Sequence, residues 1–201
     1  MTKTLIAGAV AVMTLAGGSA FAQAAPTQAY IGANLGTSHA GHGCGAGASA
    51  STDITDCDKS DFAWKLYGGY NLPGTPFAAE LTYANLGTYK AKGTDSASAK
   101  GSYWGVGGAW RPEFGQGWGG VARLGAAYST SKVDYSIAEV AGEHSKDSWH
   151  PYYGLGVNYQ LTRNVKLEAD WDNTRVTGQV PSYGSSTSVV NTYSIGASLG
   201  F

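Results

Sequence analysis

The chain has 201 residues, with 13 Lys and Arg against 14 Asp and Glu and a formal net charge of −1. That balance offers no basic surface for nucleic acid. Its 30 glycines are about twice the usual share, aromatics make up 12% and charged residues only 13%. This mixture excludes a helical bundle and suits strands that are small on one face.

The first element is a leader. Lys3 gives a short positive start, residues 5–15 are apolar, and Ala20-Phe21-Ala22 is a small-x-small site. The pattern predicts a secretory signal peptide over 1–22, with the mature chain starting at Gln23. An uncleaved anchor is the alternative, but the apolar stretch is short and ends in Gly and Ala. Removing the leader leaves 12 basic and 14 acidic residues, net −2. Residues 23–201 are enough for one domain. No later apolar run is long enough for a membrane-spanning helix.

Eight segments then alternate with a period of two, which predicts strands with unlike faces. Segment 29–38 sets Ile31, Ala33 and Leu35 against Gly32, Asn34 and Gly36. Segment 62–72 sets Phe62, Trp64, Leu66 and Tyr70 against Lys65, Tyr67 and Gly69. Segment 77–86 sets Phe77, Ala79, Leu81 and Tyr83 against Glu80 and Thr82. Segment 102–111 sets Trp104, Val106 and Trp110 against Gly105, Gly107 and Arg111. Segment 118–129 sets Trp118, Leu124 and Tyr128 against Arg123 and Gly125. Segment 149–161 sets Tyr153, Leu155, Val157 and Tyr159 against Gly154, Gly156 and Asn158. Segment 165–174 sets Val165, Leu167, Ala169 and Trp171 against Lys166, Glu168, Asp170 and Asp172. Segment 189–201 sets Val189, Asn191, Tyr193, Ile195, Ala197, Leu199 and Phe201 against small polar residues.

Each segment is about the length of a tilted strand crossing a bilayer. An open sheet would leave unpaired edges in hydrocarbon, so the strands are expected to close. The predicted fold is an all-β, eight-stranded, antiparallel up-and-down transmembrane barrel. Connections 72–76, 112–117 and 162–164 read as tight turns. Connections 39–61, 87–101, 130–148 and 175–188 read as long polar loops. Short turns at one rim and long loops at the other are the pattern of bacterial outer-membrane barrels, with the loops outside and the termini in the periplasm.

The bulky phase also predicts two aromatic girdles. Tyr70, Phe77, Trp110, Trp118, Tyr159 and Phe201 fall at the short-turn rim. Trp64, Tyr83, Trp104, Tyr128, Trp171 and Tyr193 fall at the long-loop rim. A soluble barrel such as a lipocalin would point these residues inward.

Taken in order and spacing, several segments resemble the OmpA-like transmembrane β-barrel family. They are Tyr30-Ile31-Gly32-Ala33-Asn34-Leu35-Gly36, Leu66-Tyr67-Gly68-Gly69-Tyr70, Ala79-Glu80-Leu81-Thr82-Tyr83, Val121-Ala122-Arg123-Leu124-Gly125, Gly154-Leu155-Gly156-Val157-Asn158-Tyr159, Lys166-Leu167-Glu168 and the final Phe201. The resemblance covers nearly all of the predicted mature chain. It stops short of the periplasmic peptidoglycan-binding domain of full-length members, so it implies no cell-wall tether.

The inward phase carries Lys65, Glu80, Arg123, Lys166, Glu168 and Asp170. Opposite charges in so narrow a bore are expected to pair. The resemblance implies an interior cluster at Glu80, Arg123 and Lys166, altered where Asn158 replaces an acid. The cluster reads as a structural plug, with a gated ion path as the alternative. Cys44 and Cys57 share one loop, and an oxidising periplasm makes a disulfide the default pairing. A metal site with His39 and His42 is the alternative, but the spacing fits no standard finger. Asp53, Asp56, Asp58 and Asp61 read as a solvated acidic patch.

No cofactor and no resident metal are expected. His144-Ser145 and His150 match no known Ser/His/acid motif of outer-membrane acyl enzymes, so no catalytic residue is assigned. The resemblance implies a non-catalytic barrel that contributes to envelope integrity and displays four loops for surface interaction. It also implies that the last strand, with Tyr193 and Phe201, is read by the barrel-assembly machinery. The partners expected are outer-membrane lipid, lipopolysaccharide, that machinery and periplasmic chaperones.

Overall fold

The computed structural model describes residues 28–41, 54–93, 96–137, 140–180 and 184–201, with side chains described outside 54–57, 90–97, 134–144 and 178–186. Within these residues the chain is almost entirely strand: β1 (Ala29–Ala40), β2 (Ile54–Asp58), β3 (Ser60–Asn71), β4 (Phe77–Gly93), β5 (Ser96–Trp110), β6 (Glu113–Gly115), β7 (Trp118–Ile137), β8 (Val140–Gln160), β9 (Val165–Val180) and β10 (Gly184–Gly200).

Eight of these strands form a closed circuit of antiparallel neighbours, β1-β3-β4-β5-β7-β8-β9-β10 and back to β1. Closure is made by β1 and β10, paired from Tyr30↔Gly200 to Ala40↔Val190. The circuit thus leaves no open sheet edge across its middle, the condition for crossing hydrocarbon.

The faces are inverted relative to a water-soluble barrel. Leu124 and Ile195 are 69% and 71% exposed, whereas Lys65 is 2% exposed. Large apolar side chains face outward on all eight strands, and charges and small residues face in. That arrangement is stable only with an apolar solvent outside.

Glycine gives the interior its room. On β1 and β3, Tyr30 stands opposite Gly69 and Tyr67 opposite Gly32. Each ring lies where the facing glycine would carry its Cβ. The pairing lets two tyrosines lie across the sheet inside a narrow bore.

The eight segments read from sequence fall on these eight strands, but the long loops need correction. Strands β7 and β8 run 20 and 21 residues, while roughly 9–11 residues cross a bilayer. They stay paired as far as Ile137↔Val140. Most of 130–148 is therefore ribbon, as are the outer parts of β4/β5 and β9/β10. Continued pairing satisfies backbone groups that loops would leave to water. Residues 112–117 are more than a tight turn. They contain β6, which folds back on β7 through Gly115, Gln116 and Gly117, all at positive φ.

Asp61, read as part of a solvated patch, has a structural role. Its Oδ1 accepts the Phe62 N–H at 2.8 Å and its Oδ2 accepts the Thr88 N–H at 2.6 Å. It thereby clamps the bulge between Asn85 and Thr88. Pairing of β4 with β3 ends at Trp64↔Asn85, and β2 takes over beyond the bulge.

Candidate functional site: the filled barrel interior

Three layers fill the bore. Toward the turns, Tyr30, Tyr67, Ala78, Ala109 and Val121 pack together. Toward the ribbons, Ala40, Ala84, Leu86, Tyr89, Tyr103, Ala127, Tyr152 and Val190 form a second apolar layer, with Val176 against it. The charged residues lie between, except that Arg111 enters from the turn side, past the end of β5.

Arg123 on β7 is the hub. Its Nε donates to Glu80 Oε1 at 2.7 Å, its Nη2 to Glu168 Oε2 at 3.2 Å, and its Nη1 is 3.0 Å from Asp170 Oδ2. Lys65 on β3 bridges two carboxylates of β9, Asp170 at 2.9 Å and Asp172 at 2.6 Å. Arg111, just past β5, donates to Glu168 at 2.6 Å and lies over the Tyr30 ring at 4.3 Å.

Three cations thus face four carboxylates, and neutral donors supply the remainder. Tyr30 donates to Glu80 at 2.9 Å, Tyr67 to Glu168 at 2.7 Å and Tyr152 to Asp172 at 3.1 Å. Asn34 adds a bond to Asp170 at 2.8 Å, and Ser198 one to Glu168 at 2.9 Å. So many charge-assisted bonds offset the cost of removing seven charges from water. Glycine again provides the space. Gly154 and Gly156 on β8 stand opposite Asp172 and Asp170, and a Cβ at either would meet the facing carboxylate.

The structure brings together Lys65, Glu80, Arg123, Glu168 and Asp170. Lys166 is a correction. It lies near the turn rim with its side chain 28% exposed, and it pairs with Glu113 at 3.2 Å. Its phase is inward, but it sits too near the end of β9 to reach the cluster. Arg111 and Asp172 take part instead; both carry the inward phase, and only depth along the strand separates them from Lys166. Asn158 is buried and donates to the Gly120 carbonyl at 3.2 Å, so it serves the backbone.

At the ribbon end, β7, β8 and β9 are tied together. The β8–β9 ladder ends at Tyr153↔Asn173, two residues before Pro151, which has no N–H to offer. Beyond that point β9 reaches across β8 toward β7. Ser129 of β7 donates to the Arg175 carbonyl at 3.1 Å, and His150 Nε2 shares a hydrogen bond with Thr177 Oγ1 at 3.0 Å. Below the mouth, burial pushes the Tyr89 hydroxyl up to about 12. It stays a neutral donor to Ser38 Oγ at 2.7 Å.

At the long-ribbon rim, Trp64, Tyr83 and Trp104 pack in series as tilted rings, at 5.4 and 4.8 Å between centroids. Tyr128 meets Trp149 at 5.2 Å and Tyr153 meets Trp171 at 5.8 Å; Tyr193 stands opposite Trp171. Trp149 and Tyr153 were absent from the girdle read in sequence. At the other rim Trp118 packs on Tyr159 at 5.0 Å, Phe77 stands opposite Trp110, and Tyr70 and Phe201 are exposed. Cys44 and the leader 1–22 lie outside the described residues. Cys57 lies in β2 with its side chain undescribed, as is that of His144.

A closed barrel with an apolar exterior, rim aromatics and a paired polar interior defines an outer-membrane β-barrel protein. The family described as "Outer membrane protein beta-barrel domain" matches residues 8–201. The chain belongs to that family, and its place is the bacterial outer membrane.

Among solved structures, the chain is similar to Neisserial surface protein A, at 19% identity and a TM-score of 0.57, covering 86% of this chain and 97% of that one. It is similar to OprG from Pseudomonas aeruginosa, at 17% identity and a TM-score of 0.54, covering 88% and 97%. It is also similar to the attachment invasion locus protein Ail of Yersinia pestis, solved with the heparin analogue sucrose octasulfate, at 14% identity and a TM-score of 0.50, covering 87% and 99%. Identities this low carry the fold alone. No curated protein matches the chain.

Proposed function

We propose that this is a non-conducting, non-catalytic barrel that contributes to envelope integrity and presents its ribbons to the outside. The carrying observation is the filled bore. The Lys65–Asp170–Asp172 and Arg123–Glu80–Glu168 pairs occupy its middle, and the layer of Leu86, Tyr103, Tyr152 and Val190 closes it toward the ribbons. Hydrated ions have no path through buried, mutually paired charges. In planar bilayers the purified protein should give no unit conductance. Reproducible conductance steps that change in Glu80→Ala would instead establish a narrow pore.

The same reading has the leader 1–22 removed during export, and lipopolysaccharide surrounding the outer rim. Periplasmic chaperones and the barrel-assembly machinery then insert the chain, with the alternation of β10 through Tyr193 to Phe201 as the segment read. Contacts with external surfaces fall to the ribbons. Residues 39–61, 87–101, 130–148 and 175–188 carry nine acids and seven bases. In the β2–β4 register Asp56 and Asp58 stand opposite Lys92 and Lys90. A surface so balanced favours neutral or mixed-charge partners over polyanions such as the one bound to Ail.

A further inference from the structure

Above the aromatic rim, β8 and β9 part company. Their pairing ends at Tyr153↔Asn173, yet β8 extends outward to Val140 beside β7, and β9 to Val180 beside β10. From this point β9 passes inside β8. Its Leu167 is exposed to lipid, but Asn173 and Thr177, in the same phase, are only 6% and 8% exposed. The outward phase of β9 has met the inward phase of β8, where Ser148 and His150 stand. Val176, on the other face of β9, packs on the apolar layer that contains Leu86, Tyr152 and Val190. The outer β9–β10 ribbon is thus tucked beneath β7 and β8.

Side-chain hydrogen bonds hold it there. Ser129 of β7 shares its hydroxyl between the carbonyls of Ser148 and Arg175, both at 3.1 Å. His150 Nε2 is 2.8 Å from Ser148 Oγ and 3.0 Å from Thr177 Oγ1. Thr177 Oγ1 is in turn 2.9 Å from Thr187 Oγ1 on β10. Within this chain of groups His150 alone changes charge near neutral pH.

Its surroundings favour the neutral ring. From β9 the charge of Arg175 acts on it. From β7 it meets Ala127 and Ser129, and from β10 Thr187 stands behind Thr177, all neutral. On its own strand Lys146 shares its phase, while Asp147 faces the other way and is hydrogen-bonded to Tyr128. Deeper in the bore Asp172 is paired with Lys65 and accepts from Tyr152. An imidazolium here would be partly dehydrated, with hydroxyls for partners and a second cation beside it.

We propose that His150 is an acid-sensitive latch on the outer β9–β10 ribbon. Neutral, it holds the ribbon beneath β8. Protonated beside Arg175, it releases the ribbon and uncovers the layer of Leu86, Tyr152 and Val190 toward the outside. The tucked form is kept above the titration of the ring and lost as pH falls through it. This goes beyond the function proposed above.

The test uses the full chain in phosphatidylcholine nanodiscs, with Val and Leu methyls labelled for NMR. At about pH 7.5 the Val176 methyls should show cross-peaks to the layer that contains Leu86 and Tyr152. At about pH 5, beyond the usual imidazole range, these should weaken about threefold or more. The loss should follow the titration of the His150 ring in the same sample. His150→Gln, which keeps a neutral hydrogen-bonding side chain, should hold the cross-peaks at both pH values. Arg175→Gln, whose backbone carbonyl still accepts from Ser129, should show a smaller loss. His39→Gln, exposed on β1, should respond like wild type.

Each variant is first checked for folding by gel migration with and without boiling, so failure of the barrel is read separately. His150→Asn serves if His150→Gln does not fold. Unchanged cross-peaks in wild type at the lower pH, or the full loss in His150→Gln or Arg175→Gln, would overturn the proposal.

Discussion

Lys65→Met should destabilise the barrel by about 3–5 kcal/mol, the usual cost of removing one partner of a buried ion pair. Lys65 is the cation nearest to both Asp170 and Asp172. Without it, among the described residues, Asp172 keeps only the Tyr152 hydroxyl, and Asp170 keeps Arg123 and Asn34. Both carboxylates lie in a bore from which water is largely excluded. Lys166→Met should change stability by less than about 1 kcal/mol, since its partner Glu113 is exposed and surface pairs contribute little. Reversible urea unfolding in lipid vesicles measures both. In the Lys65→Met/Asp172→Asn double variant part of the loss should return, because the uncompensated charge is gone. Equal midpoints for the wild type and Lys65→Met would mean that the interior pairs do not hold the barrel.

The second large effect is expected one strand pair away. Gly107 on β5 stands opposite Gly125 on β7. A Cβ at Gly107 would run into the Leu124 carbonyl and the Gly125 Cα. Those atoms are backbone, so only separation of the two strands relieves the clash. Ordinary overpacking in a core costs about 1–3 kcal/mol, and this site lacks the side-chain movement that keeps the cost so low. Gly107→Val should therefore abolish the folded form. Gly108→Val, one residue on and on the lipid face, has its nearest neighbour at 3.8 Å and should fold like wild type. A folded Gly107→Val would show that β5 and β7 are not packed as closely as described.

These two sites mark how much of the molecule could be read in the chain. Gly107 belongs to the small phase of segment 102–111, and that phase alone places it inward. The membrane makes the period of two strong, because each lipid-facing position must be apolar. Segments such as 62–72 and 165–174 therefore give up their faces directly. Beyond the headgroups that demand ends. The outer halves of β7 and β8 keep their pairing while their composition turns mostly polar; β7 keeps Val133, Tyr135 and Ile137 on one phase, but residues 143–148 of β8 are polar throughout, so the pair reads as a loop.

Alternation also tells which face a side chain takes but not its depth. Lys166, Glu168, Asp170 and Asp172 share one phase. Only the register places Lys166 at the rim and Asp172 beside Lys65. Arg111 carried the inward phase too, but its place just past the end of β5 hid its reach to Glu168. Asn34 bears no charge, so a search for ion pairs passes over it. Asp61 looked like one of four surface acids, because the bulge it clamps is a feature of register and not of local composition.

The central claim is a closed barrel with its bulky face in lipid. Gel migration of the protein from purified outer membranes, with and without boiling, tests it most directly. A closed circuit from β1 to β10 resists detergent until heated, so the unboiled protein should run as a separate compact band that boiling abolishes. One band at the same position in both lanes, or recovery of the protein in the soluble periplasmic fraction, would contradict the account.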